Sequence, residues 1–239
     1  MKNRRSKRIS SKHPADHDAC GLVARFRKPR LAGEGGSYGV LQRTLDSIAS
    51  LQQRGGSVQT DWGTDGDGAG VLTDIPRRII EGDLDRYSLN TNLASSLAIG
   101  TFFLLPGAPE GTEDEILKIL KSHGFDVIYN RPVPVDSEAL GPAASDCEPE
   151  IIRVGLLVKD KKKSPEKLFE ARVEIEDSLD DVHVVSLSEN SLVYKVMGTG
   201  KTLQRYYPEL RNSQYKTGLA IGHIRMSTNT QPDFRLAHP

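Results

Sequence analysis

Asp16–Ala24 reads DHDACGLVA: a single cysteine, Cys20, backed by Gly21 and followed by an apolar run suited to a strand. On composition alone, a cysteine among small apolar residues is a packing residue. Its surroundings argue for more. A basic, serine-rich tail precedes Cys20, and a chain of alternating helical and extended patterns follows it. That layout suits an enzyme whose nucleophile becomes the first residue once a leader is removed. A free α-amine titrates near ~8 and can take a thiol proton at neutral pH, which a peptide nitrogen cannot do. A nucleophilic Cys20 therefore requires that residues 1–19 be removed, leaving 20–239 as the working domain.

The tail itself, Met1 to Lys12, carries Lys2, Arg4, Arg5, Lys7, Arg8 and Lys12 with no acid. Three readings compete for it: a disordered leader, an organelle presequence and a nucleic-acid arm. The leader is favoured, because the apolar face of an amphipathic presequence is missing. Over all 239 residues, 32 Lys and Arg balance 32 Asp and Glu. A domain-wide field for nucleic acid is thereby excluded, although a local patch is not. No apolar run approaches a membrane span, and no secretory h-region is present. Cys20 and Cys147 form neither a disulfide framework nor metal-ligand spacing with the histidines, which points to a reducing cytoplasm.

Downstream, Val40, Leu41, Leu45, Ile48 and Leu51 recur at helical spacing, predicting an amphipathic helix over 38–53 that ends at Arg54-Gly55-Gly56. Strands are expected over 69–75, 97–105, 125–129, 151–158 and 218–224, and helices over 113–123 and 165–179. The proline- and acid-rich stretch 133–150 reads as a loop excursion. Val182–Leu187 and Ser191–Met197 read as a β-hairpin through Ser188-Glu189-Asn190. No repeat or low-complexity linker divides the chain, so one domain is the simplest account.

Three motifs invite chemistry. GTGKT at Gly198–Thr202 lacks the earlier glycine of a phosphate loop, since Lys195 occupies that position, and Tyr206-Tyr207-Pro208 leaves little room for a helix; it reads as a loop. GDGAG at Gly66–Gly70 offers Asp65 and Asp67 to a phosphate or metal, but two carboxylates make a poor metal site. A tight turn feeding a strand is the better reading. His223 and Arg225, two apart at the end of a strand, face one way. Arg225 suits a substrate carboxylate, because its planar fork binds two oxygens at once, and it suits a structural ion pair equally well.

These strings also carry a resemblance. HDACG around Cys20, LQQRGG around Arg54, TDGDGAGVLTDIP, RPVPVDSEALGPAASDCEPEI, SLVYKVM with RYYPEL, and HIRMSTNTQPDFRLAHP occur in order. Together they make the chain resemble the class II glutamine amidotransferase domain of the glutamate synthase large chain, over Asp16 to Pro239. The resemblance implies an α+β fold, the four-layer αββα sandwich of the N-terminal-nucleophile hydrolases. It implies hydrolysis of L-glutamine to glutamate and ammonia, with Cys20 as nucleophile and its freed α-amine as base. Arg225 would hold the glutamine carboxylate, Ser227 and Thr228 would line the same turn, and Arg54 would lie near the nucleophile. The ammonia would pass to a glutamate synthase central region or subunit that holds FMN and an iron–sulfur cluster. No cofactor is expected in this chain, nor any nucleic-acid or membrane partner.

Met226 and Phe234 stand where the family usually has an aromatic and a tryptophan, and the segment after Cys20 is shorter than in the glutamate synthase form. Both substitutions are apolar and reshape a pocket without removing chemistry. In the family an Asn-Gly oxyanion hole follows the segment that matches LAHP, and an aspartate for the substrate's amino group comes later still. The sequence therefore reads as C-terminally incomplete. Loss of an oxyanion donor costs ~100- to 1000-fold in rate, so the expectation for this polypeptide by itself is negligible turnover. The alternative is a remnant, or a subunit lending part of a site to a partner chain.

Overall fold

In chain order the computed structural model places β1 (Gly21–Phe26), α1 (Tyr38–Ser50), β2 (Ser57–Thr60), β3 (Gly63–Gly66) and β4 (Ala69–Asp74). Next come α2 (Arg77–Arg86), β5 (Leu97–Leu104), α3 (Thr112–Ser122), β6 (Asp126–Pro132), α4 (Pro142–Ser145) and β7 (Glu150–Leu157). The order closes with α5 (Ser164–Ser178), β8 (Val182–Ser188), β9 (Ser191–Val196), α6 (Gly200–Tyr206) and β10 (Leu219–Ile224). The structure describes residues 20–28, 36–51, 57–60, 63–227 and 231–239, with the backbone alone at 57–60, 63 and 64. The basic tail, Arg54 with its two glycines, and Thr228 lie outside the described residues.

The fold is α+β, with two antiparallel four-stranded sheets of order β1-β10-β4-β9 and β6-β7-β5-β8, and a separate β2–β3 hairpin. In β10 the buried residues Ala220, Gly222 and Ile224 alternate with half-buried ones, the period-two pattern of a strand with one covered face. Helix α1 covers that face. Its buried residues Val40, Leu41, Thr44, Leu45 and Ile48 recur at helical spacing. A Cβ at Gly222 would come within 2.6 Å of Ile48, so this glycine sets how closely the helix sits on the strand. Ser37 caps the helix by accepting the Gly39 N–H at 3.1 Å.

All eight residues of β5 are buried, as expected of a strand inside a sheet covered on both faces. Ala98, Phe102 and Leu104 pack with Ile116 and Leu120 of α3 and Leu168 and Ile175 of α5. Ile99 and Phe103 belong instead to the larger core, with Val71, Val193 and Val196 of the other sheet. Across the second sheet Arg131 pairs with Arg153, Arg153 with Thr101, and Thr101 with Ser186. This polar row is buried, and its arginines are met by acids from elsewhere in the chain. Arg131 Nε lies 2.8 Å from Asp83, and Arg153 Nη2 lies 2.8 Å from Glu209. Tyr194 donates its hydroxyl to Glu209 at 2.6 Å and accepts from Arg153 at 2.9 Å.

Three expectations need correction. β8 and β9 are joined by a tight turn but are not a hairpin, because β8 pairs with β5 in one sheet and β9 with β4 in the other. Both strands have buried faces to cover, and each finds its ladder partner in a different layer; Val193 N–H reaches back only to the Ser186 hydroxyl, at 3.4 Å. GTGKT is not a loop. It opens the seven-residue helix α6, where Thr199 accepts the Thr202 N–H at 3.1 Å and so satisfies the helix's own first turn. The 133–150 excursion contains two helical turns, Ser137–Ala139 and α4. The hairpin β2–β3 and helix α2 were not anticipated. The first is polar and glycine-rich, and the second is interrupted in pattern by Gly82.

Candidate active site

The strand pair β1–β10 builds the site. Gly21 pairs with Ile224, so Cys20, one residue before β1, meets the chain just past the end of β10. Gly21 lets this corner close: a Cβ there would already press on Leu51 at 3.3 Å. Cys20 is exposed. The Met226 N–H donates to its sulfur at 3.5 Å. On either side of Met226 the backbone is anchored to the β3–β4 turn. Arg225 N–H donates to the Gly68 carbonyl at 2.8 Å, and Ser227 N–H donates to the Asp67 carboxylate.

The glycines of TDGDGAG are required by close approaches. Gly68 has φ of +149°, and a Cβ there would sit 2.9 Å from Ala237. At Gly70 a Cβ would lie 2.1 Å from the His238 carbonyl oxygen. The two acids of the motif are engaged by backbone N–H groups. Asp65 accepts from Ala143 at 2.8 Å and from Ala144 at 3.2 Å, and Asp67 accepts from Ser227. Among the described residues no group of three His, Cys, Asp or Glu side chains is arranged to hold a metal ion. A Cβ at Gly141 would fall 1.4 Å from Asp65 Oδ1. Gly141→Ala is therefore expected to unhook Asp65 from α4, at a cost of about 1–3 kcal/mol for the lost buried bonds. A thermal melt would show the loss, and alkylation of Cys20 would be unaffected.

Arg225 is buried, at 6% exposure, one residue beyond β10. Its positive charge bears on His223, so the two do share a neighbourhood. Burial first, then the charges of His238 and Arg225, bring His223 down to about 4, so it is neutral near pH 7. Its ring meets His238 edge-on, with centroids 5.3 Å apart. The Ser227 hydroxyl is buried and has no hydrogen-bond partner among the described residues. Cys20, Arg225 and Ser227 are thus brought together. Cys147 is elsewhere: its thiol donates to the Ala143 carbonyl at 3.3 Å, and burial pushes it up.

One cluster escaped the sequence reading. Lys195, opposite Gly70 on β9, donates to His183 Nε2 at 2.7 Å and to the Arg235 carbonyl at 2.8 Å. His183 Nδ1 lies 3.2 Å from Glu176. Burial, then the charge of Arg172, lowers Lys195 to about 8, and burial with the Lys195 charge lowers His183 to about 3. These groups border an open cavity of about 400 Å³ between β8 and the segment 235–239. Nothing local in SLVYKVM marks that lysine, because its partners come from α5, β8 and the last residues of the chain.

A thiol beside an arginine-bearing turn suits acyl transfer from a carboxylate-bearing amide. Ferredoxin-dependent glutamate synthase 2 of Synechocystis is 31% identical over 234 residues, covering 94% of this chain and 14% of that protein. The glutamate synthase [NADPH] large chain of Azospirillum brasilense is 29% identical, with 94% of this chain and 15% of that protein covered. Glutamate synthase [NADH] of Saccharomyces cerevisiae is 31% identical, at 94% and 11% coverage. The chain thus spans about a seventh of the first two and less of the third. The family of class-II glutamine amidotransferases matches residues 29–239, a span that begins after Cys20 and takes in the β3–β4 turn, β10 and Arg225. With most of its length matched in this way, the chain belongs to the class-II glutamine amidotransferases.

Proposed function

We propose that the chain is the glutaminase domain of a glutamate synthase. In this reading Cys20, freed by removal of residues 1–19, hydrolyses L-glutamine and ammonia passes to a synthase region. The observation that carries it is the contact between the Cys20 sulfur and the Met226 N–H, 3.5 Å apart, beside Arg225. A hydrogen bond to the sulfur favours the thiolate. The α-amine of Cys20 takes the thiol proton, and the thiolate attacks the side-chain amide carbon. The C–N bond breaks as that proton passes to the leaving nitrogen, and water then cleaves the γ-glutamyl thioester. Arg225 offers its fork to the substrate carboxylate, and the Ser227 hydroxyl supplies an unused hydrogen-bonding group nearby; the roles the resemblance gives Thr228 and Arg54 fall outside the described residues.

The architecture that goes with this reading is the four-layer αββα sandwich, and its support is the packing: α1 on one sheet, α3 and α5 on the other, a shared core between. FMN and an iron–sulfur cluster belong in this reading to the synthase region. The reading also places the protein in the cytoplasm; among the described residues no helix is long and apolar enough to cross a membrane.

The test is labelling with a diazoketone analogue of glutamine in the protein processed to Cys20. Cys20 should be alkylated and Cys147 spared, because its thiol is pushed up by burial. Labelling of Cys147 alone, or of both equally, would overturn the assignment. Arg225→Lys keeps the charge and loses the bidentate fork, so the glutamine KM should rise at least about tenfold with the fold intact. An unchanged KM would make Arg225 structural.

A further inference from the structure

Asp67 is 4% exposed, in the turn between β3 and β4, and its carboxylate accepts the N–H of Ser227. Next to it, the Gly68 carbonyl accepts the N–H of Arg225 at 2.8 Å. Ladder pairing of β10 ends at Ile224, so residues 225–227 lie past the last sheet register. The two bonds from the β3–β4 turn therefore fall on either side of Met226, whose N–H meets the Cys20 sulfur at 3.5 Å. The orientation of an N–H is that of its peptide plane, and a plane clamped at both neighbours has little freedom to turn.

We propose that Asp67 is a positioning residue for the thiol: it holds the Arg225–Ser227 turn so that the Met226 N–H is aimed at the Cys20 sulfur. The proposal rests on Cys20 being the nucleophile. A carboxylate suits the task better than another carbonyl, because hydrogen bonds to an ionised acceptor are roughly twice as strong as neutral ones. The spacing of the motif also acquires a reason. Asp65, near the end of β3, is turned to the N–H groups of Ala143 and Ala144, and Asp67, in the turn, to Ser227, so one short stretch secures two separate segments. Only the second bears on the sulfur.

The experiment follows the rate of Cys20 alkylation by iodoacetamide against pH in the full-length protein and in Asp67→Ala and Asp67→Asn variants. With the clamp lost, the thiolate loses a hydrogen bond and the midpoint moves up. A rise of about one unit slows alkylation on the acid side of the midpoint about tenfold. Asparagine keeps an acceptor oxygen and should return the rate to within about threefold of wild type. A folded Asp67→Ala protein with the wild-type midpoint would overturn the proposal, since a merely structural acid leaves the thiol's titration where it was. If Asp67→Ala does not fold, amide exchange in the wild-type protein decides: Met226 and Ser227 N–H groups protected like those of β10 support the clamp, and exchange at Met226 as fast as in an unstructured peptide overturns it. Iodoacetamide needs no glutamine turnover, so failure of the glutaminase reading would appear separately, as absent labelling by the diazoketone.

Discussion

Replacing Cys20 with alanine should abolish ammonia release from glutamine, a fall of at least ~10³-fold, because no other group forms the thioester. The fold should survive, since Cys20 is exposed and lies before the first residue of an edge strand. Cys147→Ala is the control. Among the described residues that thiol meets the Ala143 and Ala144 carbonyls and the Met197 sulfur, away from Cys20, and activity should be retained. The measurement is a glutaminase assay on the protein processed to Cys20, within the synthase that supplies the rest of the site, with a thermal melt to show that the variant is folded. Intact mass of protein from its own cells should show the loss of residues 1–19, because the α-amine of Cys20 is the proposed base. Turnover by Cys20→Ala, or activity in protein that keeps its leader, would remove the thiol or the amine from the mechanism.

The second large effect lies in the buried ionic row. Arg153, at 1% exposure, faces Glu209 and Asp83, and Tyr194 completes the network. Arg153→Ala should cost about 3–5 kcal/mol, since it strands buried carboxylates rather than merely removing an attraction. Denaturant unfolding would read this as a lower midpoint. Burial by itself would raise the Glu209 carboxyl, but the charges of Arg153 and Arg131 outweigh it and hold the group down to about 2, against an ordinary 4.5. The folded value is the lower one, so the stabilisation is complete above the unfolded pKa and is lost as pH falls through 4.5 toward 2. The size is about 3 kcal/mol. Glu209→Gln should be less stable at pH 7 and show a shallower loss between pH 4.5 and 2. An unchanged acid slope would mean that other carboxylates carry the transition.

How far these sites were legible in the sequence differs residue by residue. Val40, Leu41, Leu45 and Ile48 marked α1 by their spacing, because one covered face imposes that period on any helix. The glycines of TDGDGAG marked a turn but not its task. Cβ-free positions announce that something comes close; what comes close here is 198–199 at Gly66 and 237–238 at Gly68 and Gly70, far along the chain. The acids of that turn looked like a weak ligand pair. Their partners are backbone N–H groups of 143, 144 and 227, which carry no side-chain signature at all. Lys195 gave no signal for a similar reason: its surroundings are assembled from three separate stretches.

The amino-acid sequence by itself determined the longer helices and strands in order, though not β2, β3, α2 or α6, together with their periodic faces and the family, because each depends on local patterns and on motifs kept in order. Tertiary structure alone decided that β8 and β9 part into different sheets, since both strands read alike and only packing assigns each its ladder. It alone gave the Gly198–Thr202 string a capped helix in place of a loop. It also brought Met226 to the sulfur of Cys20 across 206 positions of chain. No local pattern can encode that contact, which exists because antiparallel pairing of β1 with β10 sets the first described residue against the turn that follows the last strand.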